Sequence, residues 1–180
     1  MSIHVFDLDD TLIFHDYMRL NHELVGLLYE LVKKRDEKNG VKAILLLTNN
    51  GDSDFIRLIN DIITDEIYGT NGKKSKQKLF DYILWRYHPA RNGTKENPTK
   101  SMDDVKYMMN EIGIPFSEDT QIYFYDDLEG HVLQSEIPKS NFIHVKPYNT
   151  DLTRVLHNLK GGGKKRKQRK TKKTKKKRGV

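Results

Sequence analysis

Short apolar runs of strand length alternate along this chain with segments in which apolar residues recur at helical spacing. The apolar runs, each of which predicts a buried strand, are residues 3–7, 43–47, 122–125 and 142–145. The helical spacing predicts helices over about 21–37, 53–63, 75–87, 101–112 and 151–159. Such an alternation is typical of an α/β fold with a doubly wound, mainly parallel sheet of the Rossmann-like type.

Capping residues mark the ends of two predicted helices. Asn21 is positioned to cap the first helix, because an Asn side chain accepts hydrogen bonds from the free N–H groups of the first turn. Ser101 and Asp104 form a capping-box pattern at the start of the helix over 101–112. Gly113 follows that helix and is suited to end it.

Polar residues with reactive side chains follow three of the predicted strands directly. The three clusters are Asp7 with Asp9, Thr48 with Asn49, and Asp126 with Asp127. Ligands of doubly wound sheets bind beyond the carboxyl ends of the parallel strands. If the strands are parallel, we therefore expect the three clusters to meet at one edge of the sheet and to form the functional site.

Carboxylates gathered in this way are suited to phosphate chemistry. Asp7 with one or both of Asp126 and Asp127 can hold a small hard cation, and Mg²⁺ suits a site of few carboxylates completed by water and a substrate phosphate. The carboxylate of Asp7 can also attack phosphorus as a nucleophile. Asp9, on the same side of an extended chain, can protonate the leaving oxygen and then activate a water.

The order of the clusters resembles that of the haloacid dehalogenase superfamily. Residues 7–11 (DLDDT) resemble its first motif, 45–49 (LLLTN) its second, and 122–127 (IYFYDD) its fourth. The third motif is a lysine before the fourth, and Lys100 stands 26 residues ahead of Asp126, a separation like that of the family. The other lysines that compete for this role are Lys73, Lys74, Lys76, Lys78 and Lys106.

The resemblance covers roughly residues 1–150 and implies a role for each residue of the three clusters. The implied catalytic residues are Asp7 as nucleophile, Asp9 as acid and base, Thr48 and Lys100. The implied phosphate-binding residues are Thr48, Asn49 and Lys100. The implied Mg²⁺ ligands are Asp7, the backbone carbonyl of Asp9, and Asp126, with Asp127 supporting the metal or its waters.

The chain departs from the family pattern in its fourth motif. Tyr125 stands where the family often has glycine, and the two acids are adjacent rather than spread, although Glu129 can also contribute. The paired acids and the small size resemble members of the superfamily found in large DNA viruses. His15 and Tyr17 follow the first motif, where the family has a mobile flap; we interpret them as surface residues, with contact to the substrate as the alternative.

The resemblance implies a magnesium-dependent phosphohydrolase that works through an aspartyl-phosphate. Only about residues 13–20 separate the first strand from the next helix, so little of a cap domain fits there. Residues 65–100 can supply a small covering element, which includes the helix predicted over 75–87. A nearly open site favours a macromolecular phosphoester, either a nucleic-acid end or a phosphoprotein. The alternatives are a phosphatase for nucleotides or small metabolites, and a non-catalytic nucleic-acid-binding protein on the same fold.

The charge of the chain is divided between its body and its end. Twelve of the 32 basic residues lie between positions 164 and 180, which hold no acidic residue, so the body retains 20 basic residues against 25 acidic ones. We expect a catalytic domain over 1–160 and a disordered basic tail over 161–180 that begins with three glycines. The tail can bind nucleic acid through phosphate contacts, bind an import receptor, or simply remain solvated.

The sequence also limits the compartment. The chain has no cysteine, which excludes disulfides and thiolate metal sites. No apolar stretch is long enough for a transmembrane helix, and the first residues lack the order of a signal peptide. We therefore expect an intracellular protein of the cytoplasm or nucleus, within an infected cell if the viral resemblance holds, with no membrane partner.

Overall fold

A computed structural model of the protein describes residues 1–35, 37, 40–69, 77–91, 98–117, 119–147 and 149–161. The strands are β1 (Ser2–Phe6), β2 (Ile13–Phe14), β3 (Arg19–Leu20), β4 (Val41–Leu47), β5 (Tyr82–Leu84), β6 (Gln121–Asp126) and β7 (Phe142–His144). The α-helices are α1 (His22–Lys33), α2 (Ser53–Tyr68), α3 (Met102–Glu111), α4 (Val132–Glu136) and α5 (Thr153–Gly161). Short 3₁₀ turns occupy His15–Tyr17, Pro89–Arg91 and Lys139–Asn141.

Five strands of the described chain form one parallel sheet in the order β5-β4-β1-β6-β7. The central strand β1 pairs in parallel with β4 on one side and with β6 on the other, and its last residue, Phe6, aligns with Leu46 and Tyr125. The carboxyl ends of these three strands therefore lie side by side. The prediction of a parallel, Rossmann-like α/β fold is confirmed at this level.

Helices cover both faces of the sheet, which explains why the central strands are apolar throughout. On one face, Ile44 and Leu46 of β4 belong to a core that also contains residues of α1, α2 and α5. On the other face, Leu45 of β4 belongs to a second core with Val105 of α3 and Leu133 of α4. Each buried aliphatic side chain of this kind stabilises the fold by about 1.5–3 kcal/mol relative to an exposed one.

The predicted caps are confirmed. The Asn21 side chain accepts a hydrogen bond from Leu24 N at 3.3 Å at the start of α1. Ser101 and Asp104 form the capping box of α3. Gly113 has φ +68°, the left-handed conformation that glycine adopts without steric cost after a helix.

The helix predicted over 75–87 is wrong for its described part, because Tyr82–Leu84 form the edge strand β5 of the sheet. The spacing of Leu79, Ile83 and Tyr87 imitates a helical period, but Tyr87 is 54% exposed. The strand is anchored by Asp81, which exchanges hydrogen bonds with the backbone of Ile44. Residues 75 and 76 lie outside the described residues, and a covering element within 65–100 cannot consist of this helix.

Other elements were not foreseen from the sequence pattern. The hairpin of β2 and β3 follows Asp7 and Asp9, and α4, a helix of five residues, follows Asp126 and Asp127. The predicted tail lies outside the described residues except for Gly161, the last residue of α5. Within the described ranges, none of the helices has the length and apolar character needed to cross a membrane.

Candidate metal and phosphate site

The three acids that end β1 and β6 lie together at the carboxyl edge of the sheet. Asp7, Asp126 and Asp127 each offer a carboxylate oxygen, and these oxygens lie within 4.8 Å of one another. The Asp7 N–H donates to Tyr125 O at 2.9 Å, so the β1–β6 pairing continues up to the acidic residues. The side chains of Asp7 and Asp126 are buried, whereas that of Asp127 is partly exposed.

A buried lysine joins the two strand ends. The Lys100 Nζ lies 2.6 Å from Asp7 Oδ1 and 2.6 Å from Asp126 Oδ2, and Lys100 is 2% exposed. Its place is fixed by the backbone, because Lys100 O accepts a hydrogen bond from Leu133 N at 2.9 Å. Of the competing lysines, Lys73, Lys74 and Lys76 lie outside the described residues, and Lys106 is exposed on α3.

The cluster carries more negative charge than Lys100 alone can balance. Burial raises the pKa of Asp7 to about 7; the nearby Lys100 opposes this shift, and Asp126 adds to it. Burial, and then Asp126, raise the pKa of Asp127 to about 6. Burial by itself would lower the pKa of Lys100, but attraction to Asp7 and Asp126 leaves it raised. Three close carboxylates with a surplus of negative charge are a suitable donor set for a hard divalent cation.

Asp9 faces a different set of groups from Asp7. Its Oδ1 accepts a hydrogen bond from Asn50 Nδ2 at 2.9 Å and contacts His15 Nε2, and its Oδ2 accepts one from Thr48 Oγ1 at 3.4 Å. Among the described residues, the cluster of possible metal-binding carboxylates does not include the Asp9 side chain. The side chain of Asp9 is 30% exposed, so it remains accessible at the mouth of the site.

The loop after β4 is held by a buried arginine, Arg91, to which the sequence analysis assigned no role. Arg91 Nη1 donates to Thr48 O at 3.0 Å and to Asn49 Oδ1 at 3.0 Å, and Arg91 Nε lies 3.3 Å from Asp104 Oδ1. Arg91 is buried, and burial lowers its pKa although Asp104 opposes that shift. No local pattern indicates this residue, because its partners lie 43, 42 and 13 positions away along the chain.

Thr11, the threonine of the first motif, is a hydrogen-bond partner of Asp127 in the fourth motif. Thr11 Oγ1 accepts a hydrogen bond from Asp127 N at 3.1 Å and lies 3.4 Å from Asp127 Oδ1. His144 Nε2 lies 2.9 Å from Asp127 O. Among the described residues, His131 Nε2 is buried without a hydrogen-bond partner, and it lies 3.7 Å from Asp126 Oδ2. Thr11 and the two histidines therefore surround the acidic pair, and sequence reasoning assigned none of them a role.

No family model matches this chain. No curated protein and no solved structure matches it either. The site is therefore interpreted from its own geometry, in which an acidic pocket and a lysine lie at the strand ends.

The arrangement combines the groups needed for transfer of a phosphoryl group. Asp7 is a buried carboxylate beside a cation, Asp9 is an accessible carboxylate two residues later, and Thr48 supplies a hydroxyl group beside it. A cavity of about 380 Å³ opens on the far side of Asp127 and is lined by Asp10, Phe14 and His144 rather than by Asp7 or Lys100. Nucleophilic attack, proton transfer and neutralisation of charge all have a candidate group here.

Proposed function

We propose that this protein is a magnesium-dependent phosphohydrolase of the haloacid dehalogenase type. The observation that carries the proposal is the placement of Lys100 Nζ 2.6 Å from both Asp7 and Asp126, inside a cluster of three acids at the carboxyl edge of the sheet. A solvated acidic turn would not require a buried lysine from a remote loop. A phosphoryl-transfer site does, because negative charge gathers on the transferred group.

The reaction proceeds in two steps on this chain's own residues. In the first, the Asp7 carboxylate attacks phosphorus and the bond to the leaving oxygen breaks, while Asp9 gives that oxygen its proton. In the second, Asp9 takes a proton from a water whose oxygen attacks the phosphorus of the aspartyl-phosphate. Inorganic phosphate leaves, and Asp7 and Asp9 return to their starting states. Thr48 and Lys100 offer hydrogen bonds to the phosphoryl oxygens throughout.

The metal has a defined place in this proposal. Asp7, the backbone carbonyl of Asp9, and Asp126 would hold Mg²⁺, and Asp127 would hold the waters around it. When bound, Mg²⁺ supplies the positive charge that offsets the phosphoryl oxygens. Burial is the main cause of the raised pKa values of Asp7 and Asp127, and Asp126 adds to both; a bound cation would favour the charged forms of these carboxylates.

For the substrate, we propose a macromolecular phosphoester, either a nucleic-acid end or a phosphoprotein. Between β1 and α1 the chain inserts only the hairpin of β2 and β3, whose strands have two residues each. A hairpin of this size cannot enclose a small molecule by itself. The basic residues beyond position 163 would raise the local concentration of a polyanionic substrate.

An assay of the full chain on a nitrophenyl phosphate tests the reaction. Turnover should require Mg²⁺ and should be lost in Asp7→Asn, which keeps the size of the side chain but removes the nucleophile. Asp119→Asn is the matched control, because Asp119 is exposed in the loop before β6 at the amino edge of the sheet. Turnover that persists without Mg²⁺ or in Asp7→Asn contradicts the proposal.

A substrate panel tests the proposed class. The full chain and a variant that ends at residue 161 should be compared on oligonucleotides with 3′- or 5′-phosphate, on phosphopeptides and on nucleotides. A macromolecular substrate is expected to show the highest kcat/KM. If free nucleotides are hydrolysed best by both forms, the small-metabolite alternative replaces this part of the proposal.

A further inference from the structure

The hairpin after the first acidic motif places a histidine against the proposed acid and base. His15 begins the 3₁₀ turn His15–Tyr17 between β2 and β3, and its backbone N–H donates to Asp10 Oδ1 at 3.2 Å. Its ring stacks on Phe55 in the first turn of α2, with ring centroids 5.6 Å apart and an interplanar angle of 23°. The backbone of His15 is therefore held by Asp10 and its ring by Phe55, although the side chain is 44% exposed.

The same imidazole reaches the carboxylate of Asp9. His15 Nε2 contacts Asp9 Oδ1, which also accepts a hydrogen bond from Asn50 Nδ2 at 2.9 Å. Thr48 Oγ1 lies 3.4 Å from the other oxygen, Asp9 Oδ2. Donors from the hairpin and from the loop after β4 therefore fix Asp9 from two sides, and the two contacts at Oδ1 leave Oδ2 as the less occupied oxygen.

We infer that His15 is a positioning residue that, together with Asn50, holds the Asp9 carboxylate in the orientation needed to give a proton to the leaving oxygen. The inference rests on the proposed function, because it assigns a partner to the acid and base of that reaction. An exposed ion pair alone would contribute little. The stack on Phe55 and the shared oxygen with Asn50 distinguish His15 from an ordinary surface histidine.

Loss of His15 should affect substrates differently, according to how readily their leaving group departs. A nitrophenolate leaves readily without a proton, whereas an alkoxide such as that of an alkyl phosphate needs one in the transition state. If His15 orients the proton donor, its loss should therefore impair alkyl phosphates far more than nitrophenyl phosphate. A residue that only stabilises the hairpin or the fold would affect both substrates alike.

The experiment compares kcat/KM of the full chain on an alkyl phosphate and on nitrophenyl phosphate in the presence of Mg²⁺, because kcat/KM reports formation of the aspartyl-phosphate and excludes its hydrolysis, which both substrates share. His15→Ala should lower kcat/KM on the alkyl phosphate about tenfold or more and that on nitrophenyl phosphate by less than about threefold. His15→Gln should recover part of the loss, because its side-chain N–H can reach Asp9. His157→Ala changes an exposed histidine of α5 and should leave both rates unchanged.

A second variant and the wild type distinguish a failure of the positioning role from a failure of the proposed function. Phe55→Leu removes the ring that supports His15 and should reproduce the selective loss to a smaller degree. If His15→Ala lowers kcat/KM equally on both substrates, or on neither, the positioning role is overturned while the proposed function stands. If the wild type hydrolyses neither substrate with Mg²⁺, the proposed function fails and this inference fails with it.

Discussion

Lys100 is the residue on which the charge balance of the site depends. Its ammonium lies between two buried carboxylates, and a third carboxylate, that of Asp127, is close by. Burying one ion without its partner costs several kcal/mol, so each of these groups needs the others. The same contacts orient Asp7, because one of its oxygens is held by Lys100 while the other is left free of that ion pair.

Replacement of Lys100 by methionine keeps its length but removes its charge. We expect Lys100→Met to lose about 3–5 kcal/mol of unfolding free energy in the absence of divalent cations, because two buried carboxylates then face each other without a counter-charge. Added Mg²⁺ should restore part of this loss. Urea unfolding with and without MgCl₂ measures both effects, and Lys106→Met, an exposed change on α3, should show neither.

Arg91 supports the loop after β4, which carries the proposed phosphate-binding residues Thr48 and Asn49, through several directed hydrogen bonds. A lysine ammonium cannot reproduce the planar, forked set of N–H donors that the Arg91 guanidinium presents. Arg91→Lys should therefore lower the unfolding free energy by roughly 2 kcal/mol. It should also raise KM for a nitrophenyl phosphate more than it lowers kcat. The reason is that Thr48 and Asn49 lose the group that holds them. Steady-state kinetics and urea unfolding test this, with the exposed Arg57→Lys as control. An unchanged KM would show that the loop does not need Arg91.

At the scale of elements, two helix caps differ in how far their side chains reach. Asn21 caps α1 and also donates to Thr11 O at 3.0 Å, so it ties the helix to the loop of the first acidic motif. Asp52 caps α2 by accepting from Asp54 N and Phe55 N, and it is exposed. The first cap therefore joins two elements, whereas the second acts within its own helix.

Alanine at these two caps should reveal the difference. Asp52→Ala should cost about 1 kcal/mol of unfolding free energy, and Asn21→Ala about 2 kcal/mol, because the latter also leaves a buried carbonyl without its donor. Chemical denaturation of both variants measures the difference. Equal losses would mean that the contact with Thr11 adds nothing to the cap.

The centre of strand β1 carries a buried histidine that makes the fold sensitive to acid. His4 contacts the hydroxyl groups of Tyr125 and Ser2, and its burial lowers its pKa from 6.5 to about 3. Between these two values the unfolded chain binds a proton that the folded chain does not. His4 therefore stabilises the fold fully above pH 6.5, and this contribution is lost as the pH falls towards 3.

His4→Asn should flatten the pH dependence of stability. Each pH unit within this window should weaken the wild type by about 1.4 kcal/mol more than the variant, because asparagine does not titrate. The measurement is the unfolding free energy by urea at several values between pH 4 and pH 8. His157→Asn, on the exposed side of α5, should keep the slope of the wild type. Parallel curves for wild type and His4→Asn would refute the assignment to His4.

At the scale of the whole molecule, charge is separated between the folded body and the basic end. The chain is +7 overall, although residues 1–163 hold 20 basic and 25 acidic side chains. A body with net negative charge would not by itself attract nucleic acid. We therefore expect any affinity for DNA or RNA to reside in the twelve cations beyond position 163.

Removal of residues 162–180 should separate binding from turnover. The shortened chain should hydrolyse a nitrophenyl phosphate at the rate of the full chain, because the described site lies within residues 7–144. Its affinity for an oligonucleotide should fall at least tenfold at low salt, and the steep salt dependence of the full chain should disappear. Fluorescence anisotropy at 50 and at 200 mM salt, roughly the range over which phosphate contacts weaken, tests this. Undiminished binding would place the affinity in the body.

Much of the fold could be predicted because the relevant signals are local. The apolar run of β4 and the periodic faces of α1 and α2 lie within single segments, and the caps Asn21 and Ser101 lie next to the helices that they begin. Strand β5 was not predicted because a run of three residues is too short to show the two-residue alternation of a strand. What makes Tyr82–Leu84 a strand is the free edge of β4, which is remote in sequence.

The residues of the candidate site likewise fall into two groups, those with a local signal in the sequence and those without one. Asp7, Asp9, Thr48 and Asp126 could be located because each follows an apolar strand. Asn50 and Arg91 could not, and the place of His15 after the first motif did not reveal its contact with Asp9, since each of these contacts joins two different elements. Which lysine faces the acids was likewise open, because several lie in the same part of the chain and spacing alone does not separate them.

The sequence by itself determined the four longer apolar strands, the helices α1, α2, α3 and α5, the acidic strand ends and the division of charge, because these depend on residues that are neighbours along the chain. Only the tertiary structure decided that Lys100 lies between Asp7 and Asp126, that Arg91 holds the loop after β4, and that residues 82–84 join the sheet. Those contacts form only after the parallel strands align their carboxyl ends, since packing of remote segments brings together charges that no local pattern pairs.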